Sequence, residues 1–226
     1  MDYALNPYGG CEHGCVYCYA PEVTHSEWKE WRIVRVRSNI ADRLAKELVN
    51  VRGVVGIGTV TDPYQYAEKR FMLTRQCLEV LKAGNSKIHI HTKSDLILRD
   101  LDLISQMDSE VGITITTLDD RISRITEPGA PLPERRLKTL KELTDAGIKT
   151  YALVGPILGS LEGNEKEFVE AILSTGTEHM SLDRLNLRPK MTERLQRMGI
   201  KGSDKALEKI RRIAESSGLE VTDVFE

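Results

Sequence analysis

Lys87-Ile88-His89-Ile90-His91-Thr92-Lys93 is the stretch on which the reading of the fold turns. A strand sends successive side chains to opposite faces, so Ile88, Ile90 and Thr92 share one face while His89, His91 and Lys93 share the other. The first face suits packed helices, the second a polar interior. Val111 to Thr117 repeats the pattern, with Val111, Ile113 and Ile115 alternating with Gly112, Thr114 and Thr116. His179 to Asp183 repeats it again, setting Met180 and Leu182 against His179, Ser181 and Asp183. Gly53 to Val60 and Lys149 to Pro156 read as buried parallel strands, and Trp31 to Val36 as a short one.

Helical spacing fills the intervals. One helix runs from a Ser38 cap to about Asn50 with Ile40, Leu44 and Leu48 on one face; others cover Phe71 to Ala83 and Leu96 to Met107. After the rigid loop Glu127-Pro128-Gly129-Ala130-Pro131, Pro133 opens a helix ending at Gly147, and Glu165 to Ser174 forms the next. His179 to Asp183 reads as the last strand, followed by helices over Met191 to Met198 and Ser203 to Ser217. This alternation implies right-handed βαβ units around a parallel sheet. About six units predict an α/β fold, a partial (βα)6 barrel with its chemistry at the C-terminal strand ends.

The chain of 226 residues is 40% hydrophobic and 29% charged, an ordinary globular composition. It reads as one domain over 1–226: a loop at 6–20, a barrel core at about 31–190 and terminal helices at about 191–226. Thirty-two basic against 34 acidic residues leave a net charge of -2, so no overall basic field draws in nucleic acid. No apolar run approaches the roughly 20 residues of a membrane span, and Met1-Asp2-Tyr3 opens no secretory signal. The expected location is a reducing cytoplasm, where clustered thiols more often mean metal than disulfides.

Of four cysteines, three stand at Cys11, Cys15 and Cys18 in a C-x3-C-x2-C loop. Soft thiolates suit iron–sulfur, and three of them leave one iron of a 4Fe–4S cube open. A structural zinc site is the alternative and needs a fourth ligand such as His13 or His25. Cys77 sits mid-helix and reads as a small buried residue.

The C-x3-C-x2-C loop, with Tyr17 just before the third cysteine, resembles the signature of the radical S-adenosylmethionine superfamily. Further stretches resemble its spore photoproduct lyase-like (DNA-repair photolyase-related) subgroup over roughly residues 5 to 190. They are Asn6-Pro7-Tyr8, Cys18-Tyr19-Ala20, Thr59 to Gln65, Leu73-Thr74-Arg75, His91 to Ser94, Ile113 to Asp119, Glu127-Pro128-Gly129 and Pro133 to Leu137. The resemblance implies a partial barrel whose metal ligands are Cys11, Cys15 and Cys18. It implies that the open iron chelates S-adenosylmethionine, which one-electron reduction cleaves to methionine and a 5′-deoxyadenosyl radical that abstracts hydrogen from a substrate. A flavodoxin- or ferredoxin-like reductant, lyase-like chemistry and a nucleic-acid substrate are further implications.

Residue by residue, the resemblance places Tyr17 against the adenine and Thr61, with Asp62, at the methionyl amine. It matches Tyr19 to a tyrosine of radical transfer, and Arg136, as a further cofactor-binding residue, to a subgroup arginine. Lys93, on the lumen face, suits the methionyl carboxylate, and Thr114 and Thr116 offer hydroxyls to the ribose. One departure stands out: the lyases carry a hydrogen-donating cysteine near the Thr59-Val60-Thr61-Asp62 motif, and this chain has none there.

His89 and His91 have metal-ligand spacing, yet the favoured reading is a hydrogen-bonded lumen pair. Arg184, Asn186 and Arg188 default to solvated surface, with an anionic substrate as the sharper reading. Gly56-Ile57-Gly58 is no dinucleotide fingerprint, since Thr61 stands where the third glycine belongs. The rival to an enzyme is a non-catalytic metal-binding or electron-transfer protein with a structural zinc or iron–sulfur loop.

Overall fold

The computed structural model describes residues 1–48 and 52–224. In chain order the elements are β1 (Tyr3–Leu5), β2 (Tyr8–Gly9), α1 (Ala20–Val23), α2 (Trp28–Trp31), β3 (Arg35–Val36), α3 (Ile40–Glu47), β4 (Val54–Ile57), α4 (Tyr66–Phe71) and α5 (Leu73–Ala83). Then come β5 (Lys87–Thr92), a 3-10 segment (Asp95–Asp100), α6 (Leu101–Ile104), β6 (Ser109–Thr114), α7 (Asp120–Thr126), α8 (Pro133–Asp145) and β7 (Lys149–Val154). After a short 3-10 turn (Gly159–Leu161) follow α9 (Glu165–Leu173), β8 (His179–Leu182), α10 (Pro189–Arg197), α11 (Asp204–Ser216) and β9 (Glu220–Asp223).

Seven strands pair in parallel in the order β1-β4-β5-β6-β7-β8-β9, with β1 and β9 left as edges, so the barrel is open. On the helix side, Ile88, Ile90, Val111, Ile113, Met180 and Leu182 pack with Leu78, Leu81, Leu140, Leu143, Phe168 and Ile210 in one core. Full burial of an aliphatic side chain is worth about 1.5–3 kcal/mol, so this layer holds the sheet curved around its polar face.

Several boundaries differ from expectation. The strand read at Trp31 to Val36 is not in the main sheet: Trp31 ends α2, and the two-residue β3 pairs antiparallel with β2. β1 and β9 were not legible, being short and partly exposed, and β9 rather than β8 closes the sheet. The cap of α3 falls on Asn39 rather than Ser38, and its expected end at Asn50 lies outside the described residues. The helix read from Phe71 is broken at Met72 (φ 53), where the Glu68 carboxylate accepts from Thr74 N at 2.9 Å and caps a fresh start. Leu96 to Met107 splits into a 3-10 segment capped by Ser94 and the short α6. α7 was not foreseen; Asp119 caps it by accepting from Arg121 N and Ile122 N.

On the polar face His89 and His91 are hydrogen-bonded, and the partner they share, Tyr151, was not foreseen. His89 Nε2 meets Tyr151 Oη at 2.8 Å, and the same hydroxyl bonds His91 Nε2. Tyr151 fits only because its neighbour is Gly112, where a Cβ would stand 2.2 Å from Tyr151 Cζ. Gly112→Ala is therefore expected to lower stability by about 1–3 kcal/mol in urea unfolding, and Tyr151→Leu to recover most of it. An unaffected midpoint for Gly112→Ala would contradict this packing.

Candidate functional site

The cysteine loop bends back over the C-terminal strand ends because residues far along the chain hold it there. Val16 N donates to Thr126 O and Gly129 N to His13 O, at 2.8 and 2.9 Å. Glu12 N donates to Gln65 Oε1 at 2.8 Å, and Gln65 Nε2 to Gly10 O at 3.1 Å. Asn6 Oδ1 accepts from Val60 N and Thr61 N, tying the segment before the cysteines to the loop after β4. That loop turns at Gly58 (φ 87), where a Cβ would meet His91 O at 2.5 Å.

Between loop and strand ends lies a cavity of about 600 Å³. Cys11, Cys15, Cys18, Tyr17, Tyr19, Thr61, Asp62, Lys93 and Thr114 all line it. Eight of the other lining groups that matter chemically or sterically are His13, His91, Leu153, Asp183, Arg184, Leu185, Asn186 and Arg188. Thr116 and Arg136 do not line it. β6 ends at Thr114, so Thr116 leaves the alternation and is buried behind the wall. Arg136 is buried there too, against Glu127.

Glu127 is the hub of this wall. Its carboxylate stands 2.6 Å from Arg136 in an ion pair, accepts from Tyr17 Oη and lies 3.9 Å from Lys93 Nζ. Burial works to raise its pKa, but Arg136, Lys93 and the Tyr17 hydroxyl outweigh it and hold the carboxyl below its usual range. Lys93 Nζ also stands 5.7 Å from the centroid of the Tyr17 ring. Two cations around one carboxylate leave positive charge facing the cavity.

Asp62 lies at the backbone of the same Lys93. It accepts from Thr92 Oγ1 at 2.7 Å, Lys93 N at 2.8 Å and Tyr64 N at 2.9 Å, and lies 3.3 Å from His13 Nδ1. Burial opposes ionisation, yet His13 and these donors bring the pKa down to about 2. Asp62 thus ties the turn after β4 and the end of β5 to His13 of the cysteine loop. Thr61, 3% exposed, sends its hydroxyl toward Tyr8 O at 3.4 Å. Tyr19 sits on the rim, 41% exposed, with its hydroxyl 3.3 Å from Thr59 O. Asp183, a lumen-face residue not singled out from sequence, is pushed up to about 6 by burial, partly offset by Asn186.

The donor set fits an iron–sulfur cluster better than zinc. Burial raises all three thiols, Cys11 to about 12, with Asp62 adding to it at Cys11 and Glu127 at Cys15, so they ionise only around bound positive charge. His13 is committed to Asp62 and His25 is exposed, leaving neither as the fourth zinc ligand. Among the described residues no three His, Cys, Asp or Glu side chains close around a single ion. Cys77 is wholly buried in the core and has no part in the site.

Residues 5–175 match the family model described as Radical SAM superfamily. An uncharacterized protein of Methanocaldococcus jannaschii is 37% identical over 164 residues, 70% of this chain and 61% of the relative. One of Mycobacterium tuberculosis is 32% identical over 203 residues, 82% of this chain and 59% of the relative. The chain therefore spans about three fifths of the length of these relatives. Among solved structures, a spore photoproduct lyase variant superposes with a TM-score of 0.74 at 18% identity, covering 97% of this chain and 76% of the other. Streptococcus suis SuiB bound to S-adenosylmethionine gives 0.68 at 16% identity, with 98% and 49% covered.

Two outcomes follow for the walls. Glu127→Ala strands a buried guanidinium and is expected to cost about 3–5 kcal/mol in urea unfolding, with Glu127→Ala/Arg136→Met recovering most of it. Asp62 has a depressed folded pKa, so its contribution is full above about pH 4 and fades as pH falls toward 2. The loss is about 2 kcal/mol, and Asp62→Asn should flatten that part of the stability–pH curve.

Proposed function

The chain belongs to the radical SAM superfamily, whose 4Fe–4S cluster and S-adenosylmethionine are its cofactors, and from that premise we propose a radical enzyme acting in one domain over residues 1–226. Cys11, Cys15 and Cys18 hold three irons. Tyr17, Thr61, Lys93 and Thr114 contact S-adenosylmethionine, Lys93 offering its cation to the methionyl carboxylate. Asp62, Thr116 and Arg136 support that contact surface from within or behind the walls. When bound, the two cofactors supply a 5′-deoxyadenosyl radical by one-electron cleavage of S-adenosylmethionine.

The protein's own part is orientation and the exclusion of water. Tyr17, buried and fixed through its hydroxyl to Glu127, gives one wall a rigid ring. Leu153 gives another an apolar surface. Tyr19, on the rim, is the candidate catalytic side chain on the substrate side. Arg184, Asn186 and Arg188 reach the cavity mouth rather than open solvent alone, which suits an anionic substrate such as nucleic acid. The cavity wall holds no fourth cysteine among the described residues, so hydrogen return by a cysteine, as in a repair lyase, is no part of this reading. The electron donor is a flavodoxin- or ferredoxin-like protein of the same reducing cytoplasm.

The observation that carries the reading is the opening of all three loop thiols onto one cavity that also receives Lys93. A purely structural zinc or iron–sulfur loop has no use for such a space. The test is anaerobic reconstitution with iron and sulfide, then S-adenosylmethionine and dithionite, with 5′-deoxyadenosine read by mass spectrometry. Turnover is expected, and background alone from Cys15→Ala. No product above that control from a protein with a verified cluster would overturn the proposal.

A further inference from the structure

The family model stops at residue 175, yet the chain beyond it returns to the cysteine loop. Helix α10 presents Met191, Arg194 and Leu195 on one face, at i, i+3 and i+4. Met191 and Leu195, each 1% exposed, pack with Cys15, Val16 and Tyr17. Between them Arg194 Nε donates to Val16 O at 2.6 Å, and a terminal nitrogen donates to Cys18 O at 3.3 Å. The guanidinium carbon lies 3.9 Å from the Trp28 ring centroid, which fixes the fork's plane. Among the described residues no carboxylate forms an ion pair with it. The start of the helix is tied down separately, because Glu22 accepts from Met191 N at 2.9 Å and from Lys190 N at 3.4 Å.

The geometry points to Arg194 as a positioning residue for the cluster, an inference that rests on the proposed assignment of Cys11, Cys15 and Cys18 as its ligands. The fork pins the Val16 and Cys18 carbonyls and so fixes the backbone that carries two of the thiolates. Its unpaired charge beside Cys18 favours the cluster's more negative, reduced form, much as charge and hydrogen bonds tune iron–sulfur potentials generally. The step concerned is one electron from the reductant to the cluster, with no bond or proton transferred. Lys93 on the barrel side and Arg194 on the helix side would flank the same loop.

Redox titration of the reconstituted protein with dithionite, followed by electron paramagnetic resonance, tests this together with the rate at which a chelator removes iron. Arg194→Gln is expected to lower the equilibrium constant for reduction about tenfold, which is about 59 mV for one electron. Arg194→Lys keeps the charge and is expected to hold the potential near wild type while losing iron faster. Unchanged potential in Arg194→Gln, or equal shifts in both variants, would overturn the inference. If Arg194→Gln takes up no cluster, Trp28→Leu decides: faster iron loss than wild type supports the clamp, and unchanged loss overturns it. A wild-type chain that takes up no 4Fe–4S cluster contradicts the proposed function instead.

Discussion

A single buried carboxylate, that of Glu127, organises the site. It neutralises Arg136, lies beside Lys93 and holds the Tyr17 ring through its hydroxyl, so it links α8, the end of β5 and the cysteine loop. A charge this deeply buried is tolerable only because cations and a donor surround it. The partners then inherit fixed positions. One carboxylate thus meets two cations, Arg136 away from the cavity and Lys93 on its lining.

The sequence motifs and the site they build relate less directly than their spacing suggests. Asn6, Gln65, Asp62 and Gly129 all belong to stretches that mark the family resemblance, yet each is spent on bonds within the protein, most of them to backbone. They hold the cysteine loop against the strand ends. The same division appears at Arg136, which the resemblance placed among cofactor contacts and the fold places behind the wall.

What could be read in advance was whatever periodicity or residue chemistry encodes locally. The alternation in β5, β6 and β8 gave the two faces of the sheet, and the spacing of the three thiols marked the loop that the fold sets over the cavity. Breaks that depend on distant or brief contacts were invisible: Glu68 capping α5 after Met72, Asp119 capping α7, and the edge strands β1 and β9. Asp183 escaped notice although its place on the polar face was clear, because its altered acidity comes from burial that only the closed cavity supplies. Arg194 lay in a helix read only as terminal, and nothing in its sequence revealed that the helix packs on the loop.

In the proposed function the three loop thiols leave one iron open toward the cavity that Lys93 and Tyr17 help to line. The most direct measurement is electron paramagnetic resonance of the reduced, reconstituted protein with S-adenosylmethionine labelled with oxygen-17 in its carboxylate. Added cofactor is expected to change the cluster signal, and the label to broaden it or appear as a hyperfine coupling. A signal indifferent to S-adenosylmethionine, labelled or not, would contradict the account.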